Sequence, residues 1–292
     1  MLKYSDKPMH KLKFFDEHVQ LALKKETPIY ELPTIPKYFA GQEILITGGS
    51  GFIGKVLIEK LLRSCPEIKT IFVLLRPKKG KSIQERIEKL FDVQLFDVLK
   101  SMNADFMKKL TPVAGDVAEL GLALSPVDVE KMKNVSVIFH SAATVNFNDS
   151  IKTAIFTNTR GTREILNFAG GLPNLKSFVH VSTAYSNCHL KEIDEKIYSP
   201  LADWRKTIEI CETLNENELD ILTQHITTFT PNTYVFSKNL TEKVIEDYKE
   251  KIPLVVVRPS IVLPTVREPF PGWVDNLNGE FDLNLMLVLV EL

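Results

Sequence analysis

The stretch "LITGGSGFIGKVLIEKLL", residues 45–62, sets Gly48, Gly49, Gly51 and Gly54 between a β-branched apolar run and a run with helical spacing. Each glycine surrenders more backbone freedom on folding than any other residue would. A turn built this way needs the space that absent side chains leave. Strand, glycine turn and helix in that order open a parallel crossover unit, so the feature restricts the chain to α/β architectures.

The rest of the sequence keeps the alternation. Short apolar runs recur at "EILIT" (43–47), "TIFVLL" (70–75), "LTPVAG" (110–115), "SVIFHS" (136–141), "SFVHVS" (177–182) and "PLVVVR" (253–258). Most are apolar on successive residues, the mark of strands covered on both faces in a parallel sheet. Helical candidates lie between them at 52–63, 82–100, 150–169 and 234–250. The expected fold is a doubly wound parallel sheet over residues 36–265, preceded by an N-terminal extension, 1–35. Two segments interrupt it. Residues 186–230, rich in Glu, Thr and Asn, separate the fifth strand from its helix, and 259–280 carry Pro259, Pro264, Pro269 and Pro271. Excursions beyond the carboxyl ends of strands are where open α/β sheets build substrate pockets, so 186–230 and 266–292 are expected to form a partial substrate lobe.

A net charge of −1 removes any bulk attraction to nucleic acid or anionic lipid. Cys65, Cys188 and Cys211 are scattered without metal-ligand spacing, which points to a reducing compartment with neither disulfide nor zinc. The start, "MLKYSDKPMHKLKFFDEHVQ", lacks the apolar core of a secretory signal, and Leu12, Phe15 and Val19 are expected on one face of a surface helix. No apolar run approaches the roughly 20 residues of a spanning helix, and the closing "LNLMLVLVEL" is too short, so the chain is not expected to cross a membrane.

Gly48, Gly51 and Gly54 stand in the order GxxGxxG. After a strand and before a helix, this places bare backbone N–H groups and the helix dipole against a pyrophosphate, and lets Gly54 pack close. Dinucleotide binding follows from that context. The second strand then ends "VLLRPKKGK". An NAD site usually offers a carboxylate here, whereas this chain offers Arg76, whose guanidinium can hold a 2′-phosphate through two parallel hydrogen bonds. NADPH is therefore the expected cofactor. Lys78 and Lys79 read equally well as a solvated turn.

"TYVFSKNLTEKVIEDY" begins at residue 233 and puts Tyr234 and Lys238 four apart, on one helix face. An ammonium beside a phenol lowers the phenol's pKa and makes it usable as a proton donor or acceptor near neutral pH. The preceding strand ends "VHVSTAYSN", where Thr183, or its neighbour Ser182, can donate to a substrate carbonyl. Turn chemistry is the alternative for that pair.

Together the glycine loop, "GDV" (115–117), "HSAATVNF" (140–147), "VSTAY" (181–185), "YVFSK" (234–238) and "VVVRPSIVLPT" (255–265) resemble the extended short-chain dehydrogenase/reductase superfamily. Within it, "IPKYFAGQEILITGGSGFIGKVLIEKLLRSCPEI", "LLRPKKGK" and "PGWVDNLNG" are similar to the fatty acyl-CoA reductases, particularly the insect kind, from about residue 36 to 279. The resemblance implies a Rossmann-type NAD(P)-binding fold and NADPH-dependent reduction of a long-chain acyl-CoA to a primary alcohol through an aldehyde. It implies that Gly48, Ser50, Gly51, Phe52, Ile53 and Gly54 line the pyrophosphate and Arg76 the 2′-phosphate. Asp116 and Val117 would meet the adenine, Ser141, Ala142 and Ala143 the nicotinamide side, and Pro259, Ile261 and Val262 the nicotinamide ring. Thr183, Tyr234 and Lys238 would form the catalytic trio, with Lys238 also on the nicotinamide ribose. Cys188, near the strand end, offers an acyl-enzyme route that this chemistry does not need.

Family members continue well past residue 292, and "EFDLNLMLVLVEL" does not resemble the continuation expected of them. The resemblance places such proteins at the cytosolic face of the endoplasmic reticulum or peroxisome, while this chain alone is expected in the cytosol. The alternatives are an NADPH-binding chain without turnover and another extended short-chain reductase or epimerase, acting on a sterol or nucleotide sugar.

Overall fold

A computed structural model describes residues 33–275 except 79 and 227. Lys79, the N-terminal residues Leu12, Phe15 and Val19, and the tail from 276 onward lie outside the described residues. Six strands, β1 (Glu43–Thr47), β2 (Thr70–Leu75), β3 (Leu110–Ala114), β4 (Val137–His140), β5 (Ser177–Val181) and β6 (Leu254–Val257), form one sheet in the order β3-β2-β1-β4-β5-β6. Every neighbouring pair is parallel. The winding reverses between β1 and β4, where Ile44 pairs with Ile71 on one side and Val137 on the other. In an open α/β sheet, ligands bind in the crevice at such a reversal.

Continuous apolar runs arise because successive residues serve two different cores. On one face Ile44, Ile46, Ile71 and Val73 pack with Ile58 and Leu62 of the first crossover helix, Phe52–Ser64. On the other, Leu45, Phe72, Ile138 and Phe178 pack with Ile165, Leu166, Phe236 and Leu240. β1 is buried throughout, as expected of a central strand. The last strand departs from the expectation. β6 ends the sheet, and Val255 and Val257 are 49% and 44% exposed, so only its Leu254 and Val256 face is covered.

The expected helix over 82–100 is divided. Helix Ile83–Phe91 opens with reciprocal caps, Glu85 N–H to Ser82 Oγ at 3.1 Å and Ser82 N–H to Glu85 Oε2 at 2.7 Å. A 3-10 turn, Gln94–Phe96, then precedes Asp97–Met102 and drives Leu95 and Phe96 fully inside. Helical structure over 151–170 contains a π-helical stretch, Ile155–Arg160. Segment 186–230 holds two helices, Trp204–Thr213 and Glu216–Ile226. Their Trp204, Ile208, Cys211, Leu219 and Ile226 join the same core as Phe236, so this excursion is packed onto the helix Thr233–Tyr248.

After β6 the chain turns back toward the first crossover helix. Trp273 meets Phe52 edge-on with ring centroids 5.1 Å apart, Asp275 takes the Lys55 ammonium, and Glu268 takes Lys60 and Arg63. Among the described residues no helix is long and apolar enough to cross a membrane.

Candidate active site

The glycines of the first turn serve different ends. Gly48 has φ +71°, and a Cβ there would stand 2.5 Å from the Ala142 backbone N, so only glycine lets the β1 turn close against the end of β4. At Gly54 a Cβ would stand 2.2 Å from the Gly48 carbonyl oxygen and 2.6 Å from Gly49 Cα. The close approach there is between the helix and the loop itself. Gly49 is held against Val73 and Ile58. Gly51 differs from all three. Its φ is −84°, its nearest atom to a built Cβ is the Gly48 oxygen at 3.4 Å, and it is exposed. It forms the N-cap of Phe52–Ser64, and no side chain caps that helix end. Ser50 is exposed beside it, while Phe52 and Ile53 are half-buried.

Arg76 follows β2 directly, exposed, and its guanidinium has no hydrogen bond or ion pair among the described residues. At the tip of β3, Asp116 Oδ1 accepts from Ala118 N–H at 3.0 Å, and Val117 is buried. Ser141 lies across the reversal, where its hydroxyl donates to the Thr47 carbonyl at 2.8 Å. Ala142 N–H reaches Thr47 Oγ1 at 3.3 Å, and Ala143 is half-buried. Pro259 accepts from Ala184 N–H at 2.9 Å, bringing the turn after β6 against the tip of β5, while Ile261 and Val262 are exposed. The cofactor candidates thus lie along the carboxyl ends of the strands, and Cys188 is exposed beyond β5.

Tyr234 and Lys238 project from the start of the helix Thr233–Tyr248, which Asn232 caps by accepting from Val235 N–H at 2.9 Å. The structure distinguishes the two hydroxyls that the sequence leaves open. The Ser182 hydroxyl donates to Glu242 Oε1 at 2.6 Å, whereas the Thr183 side chain stands beside the Tyr234 phenol. The expected electrostatics are corrected. Burial holds the phenol above its ordinary pKa, with the neighbouring Thr183 hydroxyl working in the opposite direction. The ammonium is engaged elsewhere: Lys238 Nζ donates to the Val181 carbonyl at 2.9 Å. Burial pushes Lys238 itself down to about 8, with Glu242 working in the opposite direction.

Two groups went unread in the sequence. Glu242 lies one turn beyond Lys238 and is paired with Arg258 just after β6, through Nε to Oε1 and Nη2 to Oε2, both at 2.8 Å. The signal was present, since 234, 238 and 242 share one helix face. Beneath the trio, His140 and His180 lie on adjacent strands with ring centroids 5.4 Å apart. Thr162 spends its proton on the Asn158 carbonyl at 2.7 Å, so it accepts from His140 Nε2, and Nδ1 accepts from Thr47. Neither ring nitrogen of His180 has a partner among the described residues. Burial, then the Lys238 charge, pushes His140 down to about 3 and His180 well below the usual histidine range.

A reversed parallel sheet, a glycine turn at its switch point, and a tyrosine, lysine and threonine beside it define a Rossmann-type NAD(P)-binding domain. A sequence profile of the NAD-binding family described as Male sterility protein matches residues 46–291, and the chain belongs to that family. The match runs beyond residue 279, where the resemblance drawn from motifs ends. The chain is 42% identical over 247 residues to human Fatty acyl-CoA reductase 1, covering 84% of this chain and 48% of that protein. Human Fatty acyl-CoA reductase 2 is 40% identical over 249 residues, with 85% and 48% covered. This chain therefore spans about half the length of the curated relatives it matches. Among solved structures it is similar to the terminal R domain of the myxalamid PKS-NRPS pathway, with TM-score 0.57, 24% identity, and 80% of this chain and 52% of that one covered. The reductase domain of a nonribosomal peptide synthetase from Mycobacterium tuberculosis gives TM-score 0.53 and 25% identity, covering 77% and 49%.

Proposed function

We propose that residues 36–265 bind NADPH across the strand tips and that the chain reduces a long-chain fatty acyl-CoA to a primary alcohol through an aldehyde. The observation that carries this reading is the convergence of Thr183, Tyr234 and Lys238 beside the β5 tip, next to the reversal of the sheet. The residues present suit the dinucleotide. Gly51 leaves open space at a helix N-terminus without a side-chain cap for a diphosphate, and Arg76 offers a guanidinium that is unpaired among the described residues for a 2′-phosphate. A reduced nicotinamide held there would supply one hydride per molecule, so two NADPH in succession would be needed, one for the thioester and one for the aldehyde left after the CoA thiol departs.

The chain's own groups manage the oxygen. Thr183 and Tyr234 hydroxyls hold the carbonyl oxygen and stabilise the charge that develops on it. Burial keeps the phenol protonated at neutral pH, which suits reduction, because the alkoxide of the second step must receive a proton. The Lys238 ammonium adds positive charge in an enclosed site. Relatives named fatty acyl-CoA reductases support the substrate class, and the motif resemblance to that family is the ground on which we place the chain at the cytosolic face of the endoplasmic reticulum or peroxisome.

Purified protein should oxidise NADPH when given palmitoyl-CoA, and Tyr234→Phe should abolish that turnover while leaving NADPH affinity intact. Undiminished turnover in the variant would refute the mechanism. The second reading, NADPH binding without turnover, draws on the exposure of Ile261, Leu263 and Val266 after β6, where an acyl chain needs walls. Thermal stabilisation by NADPH with no palmitoyl-CoA-dependent oxidation would select it.

A further inference from the structure

Glu242 is 2% exposed, on the helix that carries Tyr234 and Lys238. Its carboxylate gathers donors from three directions. At the tip of β5, Ser182 Oγ donates to Oε1 at 2.6 Å. From the turn beyond, Ser186 Oγ donates to the same oxygen at 2.9 Å, and the Asn187 amide lies 3.5 Å from Oε2. From the end of β6 comes the two-pronged Arg258 contact, at 2.8 Å on each oxygen. The same guanidinium donates through Nη1 to the Asp194 carbonyl at 3.0 Å and through Nη2 to the Lys196 carbonyl at 2.7 Å. One ion pair therefore ties the helix, the ends of two strands and the 186–196 excursion together.

Exposed ion pairs contribute little, but a planar guanidinium meeting an enclosed carboxylate fixes geometry as well as charge. Ser182 and Thr183 are consecutive, the first bound to Glu242 and the second beside the Tyr234 phenol, so holding the first aims the second. The surroundings of Lys238 make the charge matter too. Its own helix presents Tyr234 and Glu242, β5 presents the Val181 carbonyl and His180, β4 presents His140, and Arg258 stands behind Glu242. Both imidazoles are kept neutral by burial, and the phenol is kept protonated. Among the described residues, Glu242 is the anion that acts on the Lys238 ammonium.

We propose that Glu242, braced by Arg258, is a positioning residue for the reaction: it stands one turn from Lys238 on the same helix face and locks the β5 tip, where Thr183 follows Ser182. The role rests on the reductase reading given above. Activity needs Lys238 protonated, so it is present below the lysine's pKa and lost as pH rises through it. Removing the carboxylate lowers that pKa and moves the basic limb of the pH–rate profile to lower pH.

The test uses the full chain with Glu242→Gln and Arg258→Lys. Palmitoyl-CoA-dependent NADPH oxidation gives kcat, KM and the pH profile, and lysine 13Cε NMR, with the signal identified by Lys238→Met, gives the titration of Lys238 directly. Glu242→Gln should lower kcat about tenfold or more, leave NADPH affinity within about twofold, and move both titrations to lower pH by roughly one unit. Arg258→Lys keeps the carboxylate charged, so it should lower thermal stability while leaving both titrations in place. An unshifted Lys238 signal in folded Glu242→Gln, or an unchanged kcat, overturns the proposal. Should Glu242→Gln not fold, Glu242→Gln/Arg258→Gln removes the stranded charge and is read by the same NMR titration. A wild type that never reduces palmitoyl-CoA defeats the reductase reading, while the NMR arm still decides whether Glu242 governs Lys238.

Discussion

Replacing Gly51 and Gly54 by alanine separates the two demands placed on the first turn. At Gly51 the added methyl has only the Gly48 oxygen within reach, at 3.4 Å, and φ is −84°, a conformation alanine adopts freely. The loss of a favoured N-cap and the gain in backbone stiffness nearly offset each other, so stability should change by less than about 1 kcal/mol. At Gly54 the methyl would stand 2.2 Å from one backbone atom and 2.6 Å from another, and neither can rotate aside. Alanine's helix propensity returns about 1 kcal/mol, against an overpacking penalty of about 3 kcal/mol at a rigid backbone contact. A net loss of about 2 kcal/mol corresponds to a Tm fall of roughly 4–8 °C in a chain of this size. NADPH affinity should behave differently. The Gly51 methyl occupies the open side of the turn, and affinity should fall at least about tenfold, or about 1.4 kcal/mol. Thermal melts paired with NADPH fluorescence titrations read both quantities. Gly51→Ala binding NADPH as well as wild type, or melting as low as Gly54→Ala, would refute the reasoning.

Three further outcomes are expected. Arg76→Ala should weaken NADPH by roughly 10–100-fold, the worth of a charged hydrogen-bonded pair, while NADH affinity stays within about twofold; equal losses for both cofactors would place the 2′-phosphate elsewhere. Lys238→Met should raise Tm at pH 7 while removing turnover. The folded lysine titrates at about 8 instead of 10.5, so its charge costs the fold about 3 kcal/mol below pH 8, a cost relieved as pH climbs from 8 to 10.5; the gain in Tm should shrink over that range. Acid should act through the histidine pair. His140 titrates at about 3 and His180 well below its ordinary 6.5, so below pH 6.5 the unfolded chain binds protons that the fold refuses. Stability should then fall by about 1.4 kcal/mol per pH unit for each ring, and His180→Phe should flatten that slope in melts taken from pH 7 to 4.

What was readable in the chain follows from how local each feature is. The glycine turn, the runs of β1 and β2 and the Tyr234–Lys238 spacing are set by backbone sterics, two-faced burial and helix period, all of which act over a few residues. β6 reads like the central strands because its composition is theirs, yet its place at the end of the sheet leaves Val255 and Val257 open. The helix break at Gln94–Phe96 was hidden because both halves carry helical spacing, and the tertiary pull on Leu95 and Phe96 decides it. Ser182 and Thr183 stayed indistinct because the choice rests on Glu242, a residue 60 positions away. Glu242 and Arg258 stand 16 positions apart, and nothing local marks them as partners before the fold brings β6 beside the helix. Contacts from Glu268 and Asp275 back to Arg63 and Lys55 are likewise set only by the path after β6.

On the proposed reading, the strand tips hold a reduced dinucleotide with its diphosphate against the helix that begins after Gly51. Trp273 stands against Phe52 beside that turn, so energy transfer from tryptophan to bound NADPH gives a direct titration. Saturable transfer is expected, stronger with NADPH than with NADH and shifted to at least about tenfold higher NADPH in Gly51→Ala. Folded wild-type protein showing no transfer and no affinity for NADPH at any concentration would contradict it.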